Sequence, residues 1–213
     1  MSRFIFQHPK IVVDSEVDMM YNPCLETRKI FGKLNIVLDC ILNLAYNSHS
    51  KMEIPTERTE KVSVMGYELV EINNFLPKSE CDYIIDFYNE YEEHAFQYRD
   101  TFPLDIALGS IGDDIERECK KYDKNIFLQT CQVVKWPPGS FMNQHRDMEG
   151  DRFAAVLYLN DDYTGGETCF EHTQIIPETG KLVIFSGHEL IHSVNKVKHS
   201  ARYTIAMWFI QDY

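Results

Sequence analysis

The chain has 213 residues, of which 44% are hydrophobic and 25% are charged, as is typical of a globular protein with one substantial core. Its formal net charge of −12 repels phosphate backbones, so we expect no nucleic-acid partner. We find neither an apolar stretch of signal-peptide length at the N-terminus nor a transmembrane run, and we expect no membrane partner. The six cysteines are scattered and form no CxxC pair, which predicts reduced, mostly buried thiols and a cytoplasmic location.

The first quarter of the chain predicts a helical extension rather than part of a β-domain. Apolar residues recur at helical spacing behind Asn22-Pro23, which predicts an amphipathic helix over residues 23–45. A polar, charged stretch with Pro55 follows and is typical of a linker. We therefore divide the chain into an N-terminal helical extension and linker, residues 1–61, and one domain, residues 62–213. The helix is interpreted as a packing or dimer surface, so both a monomer and a homodimer remain open.

From Val62 onward the pattern changes to short elements. A strand is predicted over Tyr67–Ile72, then a helix capped by Ser79, then a second helix through Ile111 and Cys119. After Asn125, turn residues separate β-like runs at 127–136, 153–159, 167–170, 181–185, 192–197 and 202–210. This order predicts an α+β fold, a double-stranded β-helix (jelly roll) with helices packed on one sheet.

His145-Arg146-Asp147 is an H-x-D element that could bind a metal ion. On a strand, residues i and i+2 point to the same face, so both side chains could meet one ion. Such a pair also arises by chance, and a second histidine, His192, later in the chain strengthens the case. Two imidazoles and one carboxylate on one face of Fe(II) leave three positions open, which suits a bidentate 2-oxo acid and O2.

The distal carboxylate of such a co-substrate needs a buried cation, and Arg202 is the candidate. Arginine stays charged and offers a planar fork to a carboxylate. On the predicted strand, the small residues Thr204 and Ala206 share the face of Arg202, which leaves room for a ligand. Tyr158 lies among small residues on a second predicted strand and could donate a hydrogen bond to the same ligand.

From about residue 65 to 213 the chain resembles the prolyl 4-hydroxylase-like branch of the 2-oxoglutarate/Fe(II) oxygenases. The residues that carry the resemblance are the segment 74–82, the Pro-Gly-x-Phe turn before His145, the segment 158–168, Phe185 ahead of His192-x-Val194-x-x-Val197, and Ala201-Arg202-Tyr203. Two positions differ from the family pattern. Trp136 stands where many relatives place a tyrosine near the co-substrate, and Ala201 stands where many have glycine. The resemblance does not cover residues 1–61.

The resemblance implies an enzyme that holds Fe(II) on His145, Asp147 and His192, with no catalytic residue beyond these ligands. It implies 2-oxoglutarate on Arg202 with help from Tyr158 and with Trp136 at the same site, O2 as the second co-substrate, and ascorbate as an accessory cofactor. The implied reaction is a dioxygenase reaction that hydroxylates a C–H bond and releases succinate and CO2. The leading substrate is a peptidyl proline in a protein or peptide. A free amino acid or another small metabolite remains an alternative, as does a non-catalytic jelly roll that binds metal or ligand.

Substrate contacts are expected where two segments, 92–109 and 148–152, could fold over the mouth of the barrel. The first segment carries aromatic residues that could pack on a proline ring or could instead complete the core. The second lies beside basic residues that could meet an acidic substrate or remain solvated. The candidate substrate residues are Arg146, Arg152, Tyr98 and Phe102.

A competing metal motif overlaps the site, because His188-Glu189-Leu190-Ile191-His192 spells HExxH. This zinc signature needs a helix, which brings positions i and i+4 together, whereas a strand holds them ~13 Å apart. The flanking residues favour β-structure, and Gly187 stands where the helix would have to begin. A zinc peptidase is therefore disfavoured.

Overall fold

The computed structural model of the protein describes residues 59–64 and 67–211. The predicted N-terminal helix and most of the predicted linker lie outside these ranges. The last three linker residues, 59–61, differ from the prediction because they lie in the first strand, Thr59–Val64. Thr59 is paired with Ile72 and Lys61 with Val70, so the sheet begins before the predicted domain boundary at residue 62.

In the described ranges the α-helices are α1 (Lys78–Glu90) and α2 (Ser110–Cys119), and a 3-10 helix spans Glu92–His94. The strands, in chain order, are β1 (Thr59–Val64), β2 (Tyr67–Ile72), β3 (Phe102–Asp105), β4 (Ile126–Trp136), β5 (Met142–His145), β6 (Asp151–Tyr158), β7 (Thr168–Phe170), β8 (Gln174–Ile175), β9 (Leu182–Phe185), β10 (His192–Val194) and β11 (Arg202–Gln211). Neither α-helix is long and apolar enough to cross a membrane.

The strands form two antiparallel sheets that face each other. The large sheet has the order β1-β2-β9-β6-β11-β4-β3, and the small sheet has the order β5-β10-β7-β8. Apolar residues of both sheets meet between them: Phe170 of β7 packs against Phe185 of β9, and Val194 of β10 clusters with Trp136 of β4. This arrangement confirms the predicted double-stranded β-helix.

The helices cover the outer face of the large sheet, as predicted. Ile84 of α1 and Ile115 of α2 are buried in one core with Val133, Leu157 and Ile205 of the sheet. These three strand residues alternate with others that point to the opposite, inner face. The outer face is therefore the closed core of the domain, and the inner face is where a ligand can enter.

The inner face of β11 carries Arg202, Thr204 and Ala206, which share one side of the strand as predicted. Their cross-strand partners are Trp136 on β4 and Tyr158 and Val156 on β6. Ala206 and Val156 remain partly exposed although they lie between two sheets. Small side chains at this point therefore leave the space between the sheets incompletely filled.

Ser79 does not cap α1, contrary to the prediction. Pro77 occupies the N-cap position with extended backbone, and its carbonyl accepts hydrogen bonds from the backbone N–H groups of Glu80 and Cys81. The strands β3 and β8 were not predicted, and β5 was expected only as the strand that carries His145. All three are short and lie at sheet edges, where hydrophobic alternation is weak because one side of the strand has no strand neighbour.

Four cysteines are described, and all four are free thiols. Cys81, Cys119 and Cys131 are buried, and Cys169 is half-buried, in agreement with the prediction. Burial raises the pKa of Cys81 to about 12, so this thiol stays protonated and unreactive at neutral pH.

Candidate metal and co-substrate site

His145 and His192 lie directly opposite each other on neighbouring strands, His145 at the end of β5 and His192 at the start of β10. Their ring centroids are 4.2 Å apart. The Nδ1 of His145 lies 2.8 Å from the carbonyl oxygen of Asn143, and that of His192 lies 2.9 Å from the carbonyl oxygen of Leu190. Because a carbonyl can only accept, each Nδ1 carries the proton. Each Nε2 is left with its lone pair, the form that binds a metal ion.

Asp147 reaches the same point by a different route from the one predicted. It does not share a strand with His145, since β5 ends at His145. Instead, its backbone N–H donates a 3.0 Å hydrogen bond to the carbonyl of Gly187. Its Oδ1 then lies 3.9 Å from the Nε2 of His145 and 3.6 Å from the Nε2 of His192.

The three side chains fit a divalent metal ion. Their ligand atoms all lie within 4.8 Å of one another, and among the described residues this is the one such group of His, Cys, Asp or Glu. The Oδ2 of Asp147 is buried and has no hydrogen-bond partner, which is costly for an ionised carboxylate unless a cation balances it. Two imidazoles and one carboxylate form the facial triad preferred by non-haem Fe(II).

The electrostatics of the site also favour a cation. Burial lowers the pKa of His192, although the carboxylate of Asp147 opposes the change, so the imidazole is neutral and able to act as a ligand. Burial, together with the nearby charge of Asp147, raises the pKa of Asp151 to about 6. Two carboxylates close together in a partly buried site are stabilised by a bound cation.

The HExxH motif does not form a zinc site. Residues 187–190 form a turn after β9 rather than a helix, and His192 begins a strand. Within the described ranges, His192 is grouped with His145 and Asp147, not with His188 and Glu189. The prediction against a zinc peptidase therefore agrees with the geometry.

Arg202 is held in an aromatic cradle on the inner face of the large sheet. The side chain is only 1% exposed, and its Cζ lies 4.8 Å from the ring centroid of Trp136 and 5.2 Å from that of Tyr158. Its Nε and the Nε1 of Trp136 are buried donors without hydrogen-bond partners in the described part of the chain. Buried donors of this kind need an acceptor, and a carboxylate supplies one.

Tyr163 belongs to this cradle, although no sequence motif selects it. Its ring clusters with that of Trp136, and its hydroxyl is buried beside Arg202. Burial raises the pKa of Tyr163 above that of a free phenol, and the charge of Arg202 offsets part of the rise. Gly166 has no side chain to occupy the space between the Tyr163 ring and the stem of Arg202. The spacing of these residues matches no motif, so only the fold reveals the contact.

Gly187 was also missed as a site residue. A Cβ at this position would lie 2.0 Å from the Oδ2 of Asp147 and 3.2 Å from the Cβ of Ala154. The sequence indicated only that a glycine preceded the HExxH motif. Its function is to leave room for the metal-binding carboxylate.

Two of the predicted substrate residues are occupied by contacts within the fold. Arg146 donates to the carbonyl of His188 at 3.1 Å and also to that of Glu189. Arg152 donates to Asp123 at 3.2 Å, and its guanidinium lies over the ring of Phe153. Arg146 therefore connects the segments that carry the ligands, and its substrate role stays a prediction.

The predicted lid at residues 92–109 contains the 3-10 helix, a tight turn and β3. Phe102 lies in β3 opposite Lys135, which shares the outer, helix-covered face with Val133, so Phe102 points away from the metal ligands and its substrate role stays a prediction. Tyr98 lies in a tight turn with backbone hydrogen bonds to Thr101 in both directions. The next residue, Arg99, contacts the Sδ of Met142 on β5 at 3.0 Å, so this turn does reach the strand that carries His145.

Residues 131–210 match the family model of the 2OG-Fe(II) oxygenase superfamily. The match covers 80 of the 213 residues. The matched range contains the three metal ligands and the whole cradle around Arg202. The resemblance stated from the sequence is therefore confirmed.

Several proteins to which this chain is similar are prolyl hydroxylases. Prolyl 3-hydroxylase 2 of Rattus norvegicus is 37% identical over 68 residues, and the match covers 28% of this chain and 10% of that protein, so the chain spans about a tenth of the curated relative. The viral collagen prolyl hydroxylase of Paramecium Bursaria Chlorella virus-1, solved as its 2OG complex, gives a TM-score of 0.57 at 20% identity and covers 68% of this chain and 96% of that one.

A third relative is the prolyl hydroxylase of Trichoplax adhaerens in complex with a hypoxia inducible factor oxygen degradation domain peptide fragment. The two structures align with a TM-score of 0.57 at 21% identity. The alignment covers 67% of this chain and 83% of the Trichoplax adhaerens chain. At such identities the two structural likenesses establish the fold and leave the substrate open.

Proposed function

We propose that the protein is an Fe(II)- and 2-oxoglutarate-dependent dioxygenase that hydroxylates a C–H bond, with a peptidyl proline as the leading substrate. His145, Asp147 and His192 would hold Fe(II), and Arg202 would bind the distal carboxylate of 2-oxoglutarate. When bound, iron and 2-oxoglutarate supply, with O2, the oxidising equivalents that convert C–H to C–OH while the co-substrate becomes succinate and CO2.

The observation that carries this proposal is the combination of two sites on one inner face. The His-Asp-His group suits a divalent metal ion, and the cradle around Arg202 offers a buried cation with unpaired donors to an anion. A jelly roll that binds only a metal ion has no need for a buried, unpaired arginine, because an unpaired buried charge is strongly destabilising. The non-catalytic alternative is therefore less well supported.

The chain's own residues would do three things in the reaction. The hydrogen bonds from Nδ1 of His145 and His192 to backbone carbonyls fix the orientation of both imidazoles. Arg202 orients the co-substrate from the far end of the cavity. Phe170 and Phe185 pack against the ring of His192 and exclude water from that side of the site.

A polypeptide substrate is supported by an exposed apolar rim beside the ligands. Phe141, Met148 and Ile191 are 43%, 43% and 42% exposed, and each adjoins a segment that carries a ligand. Large apolar side chains that are exposed beside the ligand-bearing segments offer a contact surface for a polypeptide. The names of the relatives favour a peptidyl proline, and a free amino acid or small metabolite is the alternative. We further propose ascorbate as an accessory reductant and a cytoplasmic location, the latter supported by the free thiols.

The reaction is tested by incubating the full-length protein with Fe(II), 2-oxoglutarate and O2, with proline-containing peptides in one arm and a metabolite mixture in the other. Succinate is followed by NMR, and products are followed by mass spectrometry for the gain of one oxygen. We expect succinate from the wild type and none above background from Asp147→Ala, which lacks the anionic ligand. A folded, Fe(II)-loaded wild type that binds no 2-oxoglutarate would refute the proposed function.

The substrate class is tested separately by a matched pair of isoleucines. Ile191→Ala removes a rim side chain next to His192, whereas Ile176→Ala removes a side chain that is 52% exposed at the opposite edge of the small sheet. For a peptide substrate we expect Ile191→Ala to raise KM several-fold and Ile176→Ala to leave it unchanged. Equal KM values for both variants would favour a small-molecule substrate.

A further inference from the structure

The turn at residues 186–190 orients two of the three metal ligands through its backbone. The carbonyl of Gly187 accepts the 3.0 Å hydrogen bond from the backbone N–H of Asp147. The carbonyl of Leu190 accepts the 2.9 Å hydrogen bond from the Nδ1 of His192. A shift of this turn would therefore move the carboxylate and one imidazole together.

Ser186, the first residue of this turn, is held from two sides. Its carbonyl accepts hydrogen bonds from the backbone N–H groups of Glu189 and Leu190, at 3.1 and 2.9 Å, which close the turn. Its hydroxyl oxygen accepts a 3.3 Å hydrogen bond from the Nη1 of Arg152 on β6. Ser186 is buried, so water has little access to compete for this contact. Arg152 thus ties the start of the turn to the large sheet.

The guanidinium of Arg152 is itself fixed by two neighbours. Its Nε donates a 3.2 Å hydrogen bond to the Oδ2 of Asp123, and its Cζ lies 4.4 Å from the ring centroid of Phe153. Asp123 follows α2, and its Oδ1 accepts a 3.0 Å hydrogen bond from the backbone N–H of Asn125. A planar guanidinium binds two partners at fixed angles, so a carboxylate on one side aims the group at the hydroxyl on the other.

Arg152 also lies directly after a second turn of the site. Asp151 closes that turn, because its Oδ2 accepts a 3.1 Å hydrogen bond from the backbone N–H of Met148 and its own N–H donates to the Met148 carbonyl at 3.0 Å. The turn begins next to Asp147. Arg152 therefore stands where the two segments that position the metal-binding carboxylate come together.

We propose that Arg152 is a positioning residue of the metal centre, which acts through Ser186, and that Asp123 aims it. Groups hydrogen-bonded behind the ligands orient a metal site and raise its affinity. This role differs from the substrate contact predicted for Arg152, and the inference rests on the metal site of the proposed function. The charge of the guanidinium by itself repels a bound cation, so positioning and charge have opposite effects on metal affinity.

The test measures Mn(II) affinity calorimetrically in the full chain, without 2-oxoglutarate or peptide, and uses circular dichroism to check folding. Arg152→Met keeps a stem over Phe153 and removes the guanidinium. We expect its Mn(II) affinity to fall about 10-fold, whereas removal of a repelling charge alone would raise the affinity. Ser186→Ala should also weaken Mn(II) binding. The double variant should bind no more weakly than Arg152→Met, because both changes remove the same contact.

Asp123→Asn and Asp114→Asn form a matched pair, since each removes one negative charge. Asp114 pairs with Arg117 on its own helix, α2, at 2.6 Å. Asp123→Asn retains an acceptor for Asn125 but attracts Arg152 less. We expect Asp123→Asn to lower Mn(II) affinity several-fold and Asp114→Asn to leave it unchanged.

The inference is overturned if folded Arg152→Met binds Mn(II) as tightly as the wild type or more tightly, or if the losses in Arg152→Met and Ser186→Ala multiply in the double variant. If Arg152→Met does not fold, Ser186→Ala and Asp123→Asn decide, and wild-type affinity in both overturns it. A change only in the KM for a peptide would restore the substrate role of Arg152. A wild type that binds no Mn(II), or binds Mn(II) but no 2-oxoglutarate, would instead refute the proposed function, so the failures are distinguishable.

Discussion

Substitution of Gly187 by alanine should disable the metal site while leaving the fold intact. The backbone of Gly187 does not lie in the left-handed region, so alanine is tolerated by the backbone and the effect is purely one of space. The added Cβ would lie 2.0 Å from the Oδ2 of Asp147, whereas real Cβ contacts essentially never fall below 3.0 Å. Asp147 must therefore retreat by about 1 Å or more.

A displacement of this size exceeds what a metal site tolerates, since ligand distances are held within about 0.2 Å. Even the loss of a residue that only supports a ligand costs about 10–100-fold in metal affinity, which corresponds to about 1.4–2.7 kcal/mol. Gly187→Ala displaces the ligand itself, so we expect Mn(II) affinity to fall by about 100-fold or more. The measurement is calorimetric titration of the metal-free protein, together with circular dichroism and thermal unfolding.

Gly112→Ala provides the matched control. A Cβ on this glycine of α2 would lie 3.7 Å from the Cβ of Leu108 and 4.0 Å from the Cε of Met207, both ordinary contacts. Because alanine is favoured over glycine in helices by about 1 kcal/mol, the control should be as stable as the wild type or more so, with unchanged metal affinity. If Gly187→Ala binds Mn(II) as tightly as Gly112→Ala, the steric reasoning is refuted.

Three further predictions follow from contacts around the site. Arg202→Ala should weaken 2-oxoglutarate binding by at least about 30-fold in the Mn(II)-loaded protein, because it removes the buried cation, while Mn(II) affinity stays unchanged. Arg146→Met should lower Mn(II) affinity about 10-fold, because its contacts with the carbonyls of His188 and Glu189 connect the segments that carry the ligands. Tyr88→Phe should lower the free energy of unfolding by about 1 kcal/mol in urea titrations, because its hydroxyl donates to a backbone carbonyl at 2.7 Å, and should not change metal affinity.

Each of these has an outcome that contradicts it. Wild-type affinity of Arg202→Ala for 2-oxoglutarate would place the co-substrate on another cation. Unchanged metal binding by Arg146→Met would show that the turn before His192 is rigid without that contact. Tyr83→Phe, which alters a tyrosine that is 36% exposed on the same helix, should leave stability unchanged, and equal stability of this control and Tyr88→Phe would contradict the third prediction.

The sequence by itself determined the elements whose burial alternates along the chain. The strand at Tyr67–Ile72 is found at its predicted bounds, and β11 differs from its prediction by one residue. Periodicity also placed Arg202 on one face with Thr204 and Ala206. Such patterns are local consequences of which side of a strand is buried, so they are readable without a structure. The residue types of the triad likewise identified the metal chemistry, and the fold brings all three together.

The tertiary structure decided how those residues meet and which neighbours support them. Asp147 reaches the histidines through a hydrogen bond to Gly187, a residue on a distant turn, and not through the strand periodicity that predicted it. Tyr163 is brought beside Arg202, and Arg146 is used to connect two segments. These outcomes depend on contacts between segments far apart in the chain. Local spacing does not encode them, because hydrogen-bond partners are assigned only when both sheets are packed together.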